Sequence, residues 1–351
     1  MSVALSTDIF YHDDNVQAWI TQYANDIMGS MPPLSIATRW WGPYAYVAPG
    51  SAPILKIPFN LTVPRLGTHH ARTNYQRGIT EWYTVRRSQP RSIGFQQDIE
   101  RLKGGDFGMF SQHPAMIAHA IEVDPDVRFA ALLNAGLTTP DWTGTNFFVL
   151  AGAADNLQKP VNPGANFLGK YTNARENFAF SSDNVSTLIG DLNTRKGIDG
   201  RYLGNEQRVV ELWVPPTMAE EAKQVLERME IIFSSGTGGT ARAFKRADYH
   251  VINDMRSDLW CATIRPQSPW ELMFVHMMGA NPNTEQAITG MPSWQVQQGQ
   301  DMTPHREMVV IDTSHALYQT SGIVGYKAIL NETQKVLSGM MIAAAYTGTA
   351  T

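Results

Sequence analysis

A long extended arm that runs directly into a long helix constrains this chain more than any other feature. The arm spans about Ile54 to Arg91, a short strand-like piece follows at 92–100, and a helical segment covers 106–136. The arm has little local core for its apolar residues, which are Ile54, Leu55, Ile57, Phe59, Leu61 and Val63. Such an arm is a poor way to build a compact monomer, so we expect neighbouring copies of the chain to stabilise it.

The arm itself predicts an open β-hairpin with a basic tip. Its two strand-forming runs are Ile54 to Val63 and Ile79 to Val85, and the prolines of the first run favour an edge position. The candidate contact residues are Arg65, Arg72, Arg77, Trp82, Tyr83, Arg86 and Arg87. These residues could pair with acidic surfaces of neighbouring subunits, touch nucleic acid phosphates non-specifically, or form a solvated loop. Trp and Tyr are typical interface anchors, which favours contact between subunits.

The segment 106–136 gives the strongest helical signal. Apolar residues recur there at steps of three and four, and Gly136 is a natural stop. Asp124 followed by Pro125 is typical of a helix start. The pattern therefore predicts either two helices in series or one helix kinked near Asp124.

The rest of the chain predicts a mixture of helices and strands. An amphipathic piece near the N-terminus, with a surface or docking role, carries Val16, Trp19, Ile20, Tyr23, Ala24 and Ile27 at helical spacing. A second domain is expected from about residue 140, with a helix capped by Ser182 or Asp183, a buried strand at Arg208–Val214 and a helix after Pro215. Later strands are predicted at Tyr249–Asn253, Leu259–Ile264 and Leu272–Met277 as a meander, then at Glu307–Ile311 and Gly322–Ile329. The helix, strand and helix after residue 182 are typical of an α/β layer within an α+β chain.

Composition leaves two broad classes open. Of the 351 residues only 17% are charged, below the quarter typical of soluble domains, and the formal net charge is -4. A surface largely covered by contacts and an ordinary enzyme with few surface charges both fit. The single cysteine, Cys261, lies in an apolar run and predicts a buried, inert thiol in a reducing compartment. No apolar run is long enough to span a membrane, and the N-terminus does not look like a signal peptide.

The sequence offers no recognisable constellation for catalysis, a cofactor or a metal. The glycine-rich run at 234–240 lacks the lysine of a phosphate-binding loop. His113 and His119 are six residues apart and fall on different helix faces. Asp124 with Asp126 is better explained by capping than by a metal site. We therefore expect neither enzymatic activity nor a cofactor.

Several short sequence motifs together resemble a known family. They are Asp124-Pro-Asp-Val-Arg-Phe-Ala-Ala-Leu-Leu-Asn-Ala-Gly136, then Thr143-Gly-Thr-Asn-Phe-Phe148, Lys196-Gly-Ile-Asp-Gly-Arg-Tyr-Leu-Gly204 and Leu212-Trp-Val-Pro-Pro216. Over residues 80 to 230 this order resembles the major head (capsid) subunits of Mu-like tailed bacteriophages. The wording before the Phe-Phe pair departs from the family pattern, because it lacks a cysteine.

The resemblance implies the Johnson fold (Hong Kong ninety-seven type). It would divide the chain into an N-terminal arm at 1–38, a region at 39–139, an axial domain at 140–305 and a return to the peripheral domain at 306–351. The second region would hold the extended loop at 54–91 and the peripheral domain with its spine helix at 106–136.

The resemblance also implies a function without catalysis. The subunits would form pentamers and hexamers and close into an icosahedral head around double-stranded DNA, held non-specifically. Portal, scaffolding and cement proteins would be further partners, no membrane would be involved, and the head would assemble in the host cytoplasm and remain in the virion. Two alternatives stay open: an encapsulin-like nanocompartment that encloses a cargo enzyme, and a soluble oligomeric enzyme with an unrecognised site.

Overall fold

The computed structural model has the α+β architecture that the sequence indicates. It describes residues 18, 36–49, 54–60, 80–86, 88–89, 91–103, 108–142, 144–151, 172–195, 210–234, 248–267, 271–278, 306–311, 316–330 and 332–349. The helices are α1 (Ile99–Lys103), α2 (Gly108–Asn134), α3 (Ser182–Thr194), α4 (Ala219–Ser234) and α5 (Ala316–Ser321). The strands are β1 (Ala45–Pro49), β2 (Ile54–Asn60), β3 (Thr80–Arg86), β4 (Arg91–Asp98), β5 (Ala174–Arg175), β6 (Val210–Val214), β7 (Asp248–Val251), β8 (Leu259–Ile264), β9 (Phe274–Met278), β10 (Arg306–Ile311), β11 (Ile323–Leu330), β12 (Thr333–Val336) and β13 (Ile342–Tyr346).

The strands within the described residues form four sheets. The largest has the order β5-β13-β8-β6-β7, and all the residues of β6, β8 and β13 are buried. Two three-stranded sheets have the orders β1-β9-β12 and β10-β11-β4, and β2 pairs with β3 alone. Runs of buried apolar residues such as Leu259–Ile264 are what a strand covered on both faces requires. The large sheet is therefore the centre of the main core.

Aromatic rings join the large sheet to the long helix α2. Trp213 of β6 stacks with Phe274 of β9 at a centroid distance of 6.3 Å, and Phe274 meets Phe129 of α2 at 5.0 Å. Trp41 lies 4.4 Å from Phe129. Buried aromatic contacts of this kind add to the free energy gained by removing apolar area from water. Helix, small sheet and large sheet consequently share one core.

The long helix is continuous from Gly108 to Asn134. Of the two alternatives that the sequence left open, two helices in series is wrong, because one helix runs through Pro125 without a break. The capping role expected for Asp124 was also wrong, since its carboxylate pairs with Arg91 at 2.7 Å and with Arg128 at 3.5 Å. The helix ends close to the predicted stop. No helix in the described ranges is both long and apolar enough to cross a membrane.

The helix end packs against the Phe-Phe pair that follows it. The Phe148 backbone N–H donates to the Gly136 carbonyl at 2.7 Å, and both phenylalanines of the pair are buried. A Cβ added at Gly136 would lie 2.3 Å from a ring carbon of Phe148. Glycine is therefore needed here for close approach rather than for a special backbone angle.

Strand pairing corrects the predicted meander and shows which sheet the last strand joins. The expected meander was wrong, because β7 pairs parallel with β6, and β9 leaves the large sheet to pair with β1. The other predicted strands and the helices after residues 182 and 215 are confirmed. The predicted cap, Ser182 or Asp183, was wrong, because the N-cap of α3 is Ser181, whose hydroxyl accepts from the Asn184 backbone N–H. β13, near the C-terminus, pairs with β8 of the large sheet. The domain limits inferred from the sequence stay a proposal.

Candidate interaction site

The predicted hairpin is formed by β2 and β3, which pair antiparallel along their whole length. Leu55 faces Val85 and Ile57 faces Tyr83, whereas Ile54 faces Arg86. Because side chains alternate between the two faces of a strand, the first four of these residues share one face. The hairpin therefore has two distinct faces.

One face of the hairpin packs on its own chain. Ile57 and Val85 are buried in a small cluster, with Leu55 and Tyr83 against it. The cluster also contains Ala48, Leu272, Val275, Met277 and Leu337. The expectation that the arm has little core of its own was therefore wrong for the hairpin base, which rests on the sheet β1-β9-β12.

The opposite face of the hairpin base is open. Ile54 is 48% exposed, and Lys56, Thr84 and Arg86 are exposed as well. An isoleucine and two basic residues on one exposed strip form a surface that could bind an acidic partner with an apolar contact. We call these four residues the outer face of the hairpin.

The structure places the candidate contact residues in different situations. Tyr83 lies on the inner face, and its hydroxyl donates to the Val336 carbonyl at 3.5 Å. Burial, with a smaller effect from Asp141, raises the pKa of Tyr83. Arg86 lies on the outer face. Trp82 is in β3 opposite Pro58, and its side chain is outside the described atoms. Arg65, Arg72, Arg77 and Arg87 lie outside the described residues.

Two arginines that the sequence analysis did not single out as site residues tie neighbouring segments to the long helix. Arg39 pairs with Glu122 at 3.1 Å and with Asp126 at 2.5 Å, and the Trp41 indole N–H donates to Asp126 at 2.6 Å. Arg91, at the start of β4, pairs with Asp124. These carboxylates flank Pro125, where the helix lacks a backbone donor. The three closely spaced acidic residues at 122, 124 and 126 were the available sequence signal.

A buried carboxylate joins the segment before β1 to the large sheet. Glu211 is 1% exposed, and its Oε2 accepts from the Tyr44 hydroxyl at 2.7 Å and lies 3.3 Å from His250 Nε2. Its Oε1 accepts from Arg265 at 2.5 Å. Burial alone would raise the pKa of Glu211, but the hydrogen bonds from His250 and Tyr44 and the charge of Arg265 outweigh it and lower that pKa.

The Glu211 cluster has the features of a structural tie. Both carboxylate oxygens are engaged by side-chain donors, and Tyr44 and Thr263 beneath it are fully buried. A charged residue within the apolar run of β6 was the sequence signal for a buried partner, and it was missed. Within the described residues no group of three or more His, Cys, Asp and Glu side chains could hold a metal ion. Burial raises the pKa of the Cys261 thiol well above its usual range, as an inert cysteine requires.

Comparison with known proteins gives likenesses in structure only. No protein-family model matches the chain, and no curated protein matches it in sequence. The capsid of cyanophage P-SCSP1u is similar, with 9% identity, a TM-score of 0.48, and coverage of 88% of this chain and 87% of that chain. The procapsid of bacteriophage JBD30 is similar at 11% identity and a TM-score of 0.42, with coverage of 95% and 76%. The holo-SrpI encapsulin complex of Synechococcus elongatus is similar at 12% identity and a TM-score of 0.45, with 92% of each chain covered. The chain is thus similar in fold to two phage capsid proteins and to one encapsulin.

Proposed function

We propose that this chain is a shell subunit, the major capsid protein of a tailed-phage head. Pentamers and hexamers of it would close into an icosahedral shell around double-stranded DNA. The proposal gives the chain no catalytic role. It rests on the hairpin geometry and on the short sequence motifs described above.

The observation that carries the proposal is the division of the hairpin base into two faces. Its inner face packs on the chain's own sheet, which fixes the orientation of the hairpin base. Its outer face exposes Ile54, Lys56 and Arg86, and the basic tip continues beyond it in the sequence. A hairpin base that is packed on one face and exposed on the other suits contact with a neighbouring copy, because little ordering entropy of the base remains to be lost on association.

Many modest contacts per subunit would suffice for a closed shell. Each arm contributes a small interface, and closure makes the later contacts intramolecular, which raises their effective concentration. The net charge of -4 fits enclosure of DNA without base-specific binding, because a chain with no excess of positive charge gains little free energy from contacts with DNA phosphates. Portal, scaffolding and cement proteins are further proposed partners, and the head would assemble in the host cytoplasm.

Charge reversal on the outer face tests the proposal. The double variant Lys56→Glu and Arg86→Glu should leave the subunit folded, because both side chains are exposed, but should abolish closed shells. Lys223→Glu on the exposed face of α4 is the matched control and should assemble normally. Circular dichroism would report folding, and electron microscopy with sedimentation would report shells. Normal shells from the double variant would contradict the role of the outer face.

Deletion of residues 65–78 tests the arm tip separately. The deleted subunit should remain folded and should form no closed shells. What co-purifies with wild-type shells then decides between the proposed head and a nanocompartment. Double-stranded DNA inside the shells supports the proposed phage head. A cargo enzyme without DNA would instead indicate an encapsulin-like nanocompartment.

A further inference from the structure

One row of residues crosses the large sheet from one edge to the other. Residues that face each other in neighbouring strands lie side by side on the same face of a sheet. His250 of β7 faces Trp213 of β6, and at the far edge Leu150 faces Ala174 of β5. The complete row consists of Leu150, Ala174, Ala344, Cys261, Trp213 and His250. Leu150 and His250 are therefore the two ends of a single row.

The backbone of Leu150 points away from the sheet. The Ala151 N–H donates to the Ala174 carbonyl at 2.8 Å, and the Ala174 N–H donates to the Val149 carbonyl at 3.1 Å. Successive residues of a strand direct their backbone groups to opposite sides. The N–H and C=O of Leu150 are therefore directed outward, and its side chain is 37% exposed.

The edge at β7 is open in the same way. The Ile252 N–H donates to the Val214 carbonyl of β6 at 2.9 Å. By the same alternation, the N–H and C=O groups of Tyr249 and Val251 are directed away from β6. Among the described residues no strand pairs with this edge. β7 contains neither proline nor lysine, and Tyr249 and Val251 are 37% and 40% exposed, so this edge is a template for a further strand.

The two edges match each other in backbone groups, direction and face. Residues 149–151 and β7 run in the same direction, because two reversals separate them across the sheet. Leu150 offers one N–H and one C=O, and β7 offers the Tyr249 C=O and the Val251 N–H on either side of His250. When Leu150 of a second copy lies beside His250, two hydrogen bonds satisfy these four groups and the row continues on the same face.

We propose that the large sheets of neighbouring copies join edge to edge, with Leu150 of one copy beside His250 in the next. The Leu150 N–H donates to the Tyr249 carbonyl, and the Val251 N–H donates to the Leu150 carbonyl, in parallel pairing. The contact joins two different surfaces of the chain, so its repetition forms a ring when the rotation closes. The inference rests on the proposed function, since pentamers and hexamers are rings of this kind, and it assigns them an interface distinct from the hairpin.

Two proline substitutions test the contact from its two sides. Val251→Pro and Leu150→Pro each remove one outward N–H, and an edge strand tolerates proline where that N–H faces away from the sheet. Each variant alone should stay folded and monomeric, because every contact between its copies lacks one hydrogen bond and meets a proline ring. An equimolar mixture should form dimers only, through Leu150 of the first variant and β7 of the second. Native mass spectrometry would report the oligomers, and circular dichroism would report folding.

A charge at the same edge and hydrogen exchange give independent readouts. Val251→Glu keeps the backbone N–H but places a charge in the contact, and it should also abolish rings. Val127→Glu is the matched control, because this valine of α2 is 38% exposed and lies outside the large sheet, and it should leave rings intact. The Val251 amide of Leu150→Pro should exchange about tenfold faster or more in that variant alone than in its mixture with Val251→Pro.

Rings from either proline variant alone, or a mixture that stays monomeric, would overturn the inference. So would slow exchange of the Val251 amide in monomeric Leu150→Pro, because the chain would then cover this edge itself. Closed shells from the folded proline variants would overturn the edge contact and leave the shell proposal standing. Wild-type rings that the proline variants abolish, but that never close into shells, would support the edge contact and contradict the shell proposal.

Discussion

Removal of one oxygen atom from Tyr44 tests the buried tie between the segment before β1 and the large sheet. In Tyr44→Phe the ring keeps its contacts, including the edge-to-face contact with Trp213 at 4.9 Å. Only the hydroxyl is lost, which donates to Glu211 at 2.7 Å and lies 2.9 Å from the Thr263 hydroxyl. The variant thus isolates two buried hydrogen bonds.

The expected cost is that of a hydrogen bond to a buried charged group. Such a bond contributes about 1.5–3 kcal/mol, because the carboxylate left behind has no water to replace the donor. With an unfolding entropy of roughly 2 cal/mol/K per residue, the 351-residue chain should lose about 2–4 °C in Tm. Scanning calorimetry of the purified subunit would measure it. Tyr249→Phe, at a tyrosine that is 37% exposed, should change stability by less than about 0.5 kcal/mol.

The same tie predicts a pH dependence. The pKa of Glu211 is lowered in the folded state, so its contribution is fully present above the ordinary glutamate pKa of about 4.3 and is lost as the pH falls through the folded value. The difference in stability between wild type and Glu211→Gln should therefore shrink on acidification from pH 7 towards pH 3. Equal Tm losses in Tyr44→Phe and Tyr249→Phe, or a difference that grows in acid, would refute the reasoning.

Three further predictions concern packing, ion pairs and the thiol. Gly136→Ala should destabilise the chain by about 1–3 kcal/mol because the added methyl meets Phe148, whereas Gly190→Ala, where the methyl meets nothing within 4 Å in a helix, should stabilise it by up to about 1 kcal/mol in urea unfolding. Arg39→Gln should lower the free energy of unfolding by about 1–2 kcal/mol, and by less at high salt. The variant removes the positive charge that pairs with Glu122 and Asp126 of α2, and the Arg39 side chain is only 19% exposed. Cys261 should resist maleimide until the chain unfolds, because it is fully buried with a raised pKa, and rapid labelling of the folded subunit would contradict this.

The sequence predicts local elements well wherever one short-range signal dominates. The helix at 106–136 was found because apolar residues at steps of three and four need no knowledge of their partners. The strand around Val210–Val214 was found because it is an apolar run interrupted only by Glu211. Its buried Glu211 was not interpreted, since the donors that justify it come from Tyr44, Arg265 and His250, which are distant in sequence.

Pro125 shows how a sound local rule can give the wrong answer. Asp followed by Pro favours a helix start, and a proline inside a helix costs one hydrogen bond and some steric strain, about 3 kcal/mol. In this fold Pro125 is buried and the helix continues through it. Arg39 binds the turns on both sides through Glu122 and Asp126, and these contacts help to offset the cost. They come from a segment more than 80 residues away, so no local window contains them.

The hairpin shows why long-range pairing decides what an arm can do. Its apolar residues suggested a ribbon that depends on neighbouring copies, yet the inner face rests on Val275, Met277 and Leu337 of the same chain. The inner face is therefore occupied by the chain's own core and is not available to a neighbour. Only the outer face is left to contact a neighbouring copy. Since strand side chains alternate, a register that buries Ile57 and Val85 must turn Ile54 and Arg86 outward. A shift of one residue would exchange the two sets. The packing of the inner face on the chain's own sheet therefore determines which residues remain available to a neighbour. Under the proposed shell function, substitutions on the outer face are the ones expected to reduce shell assembly.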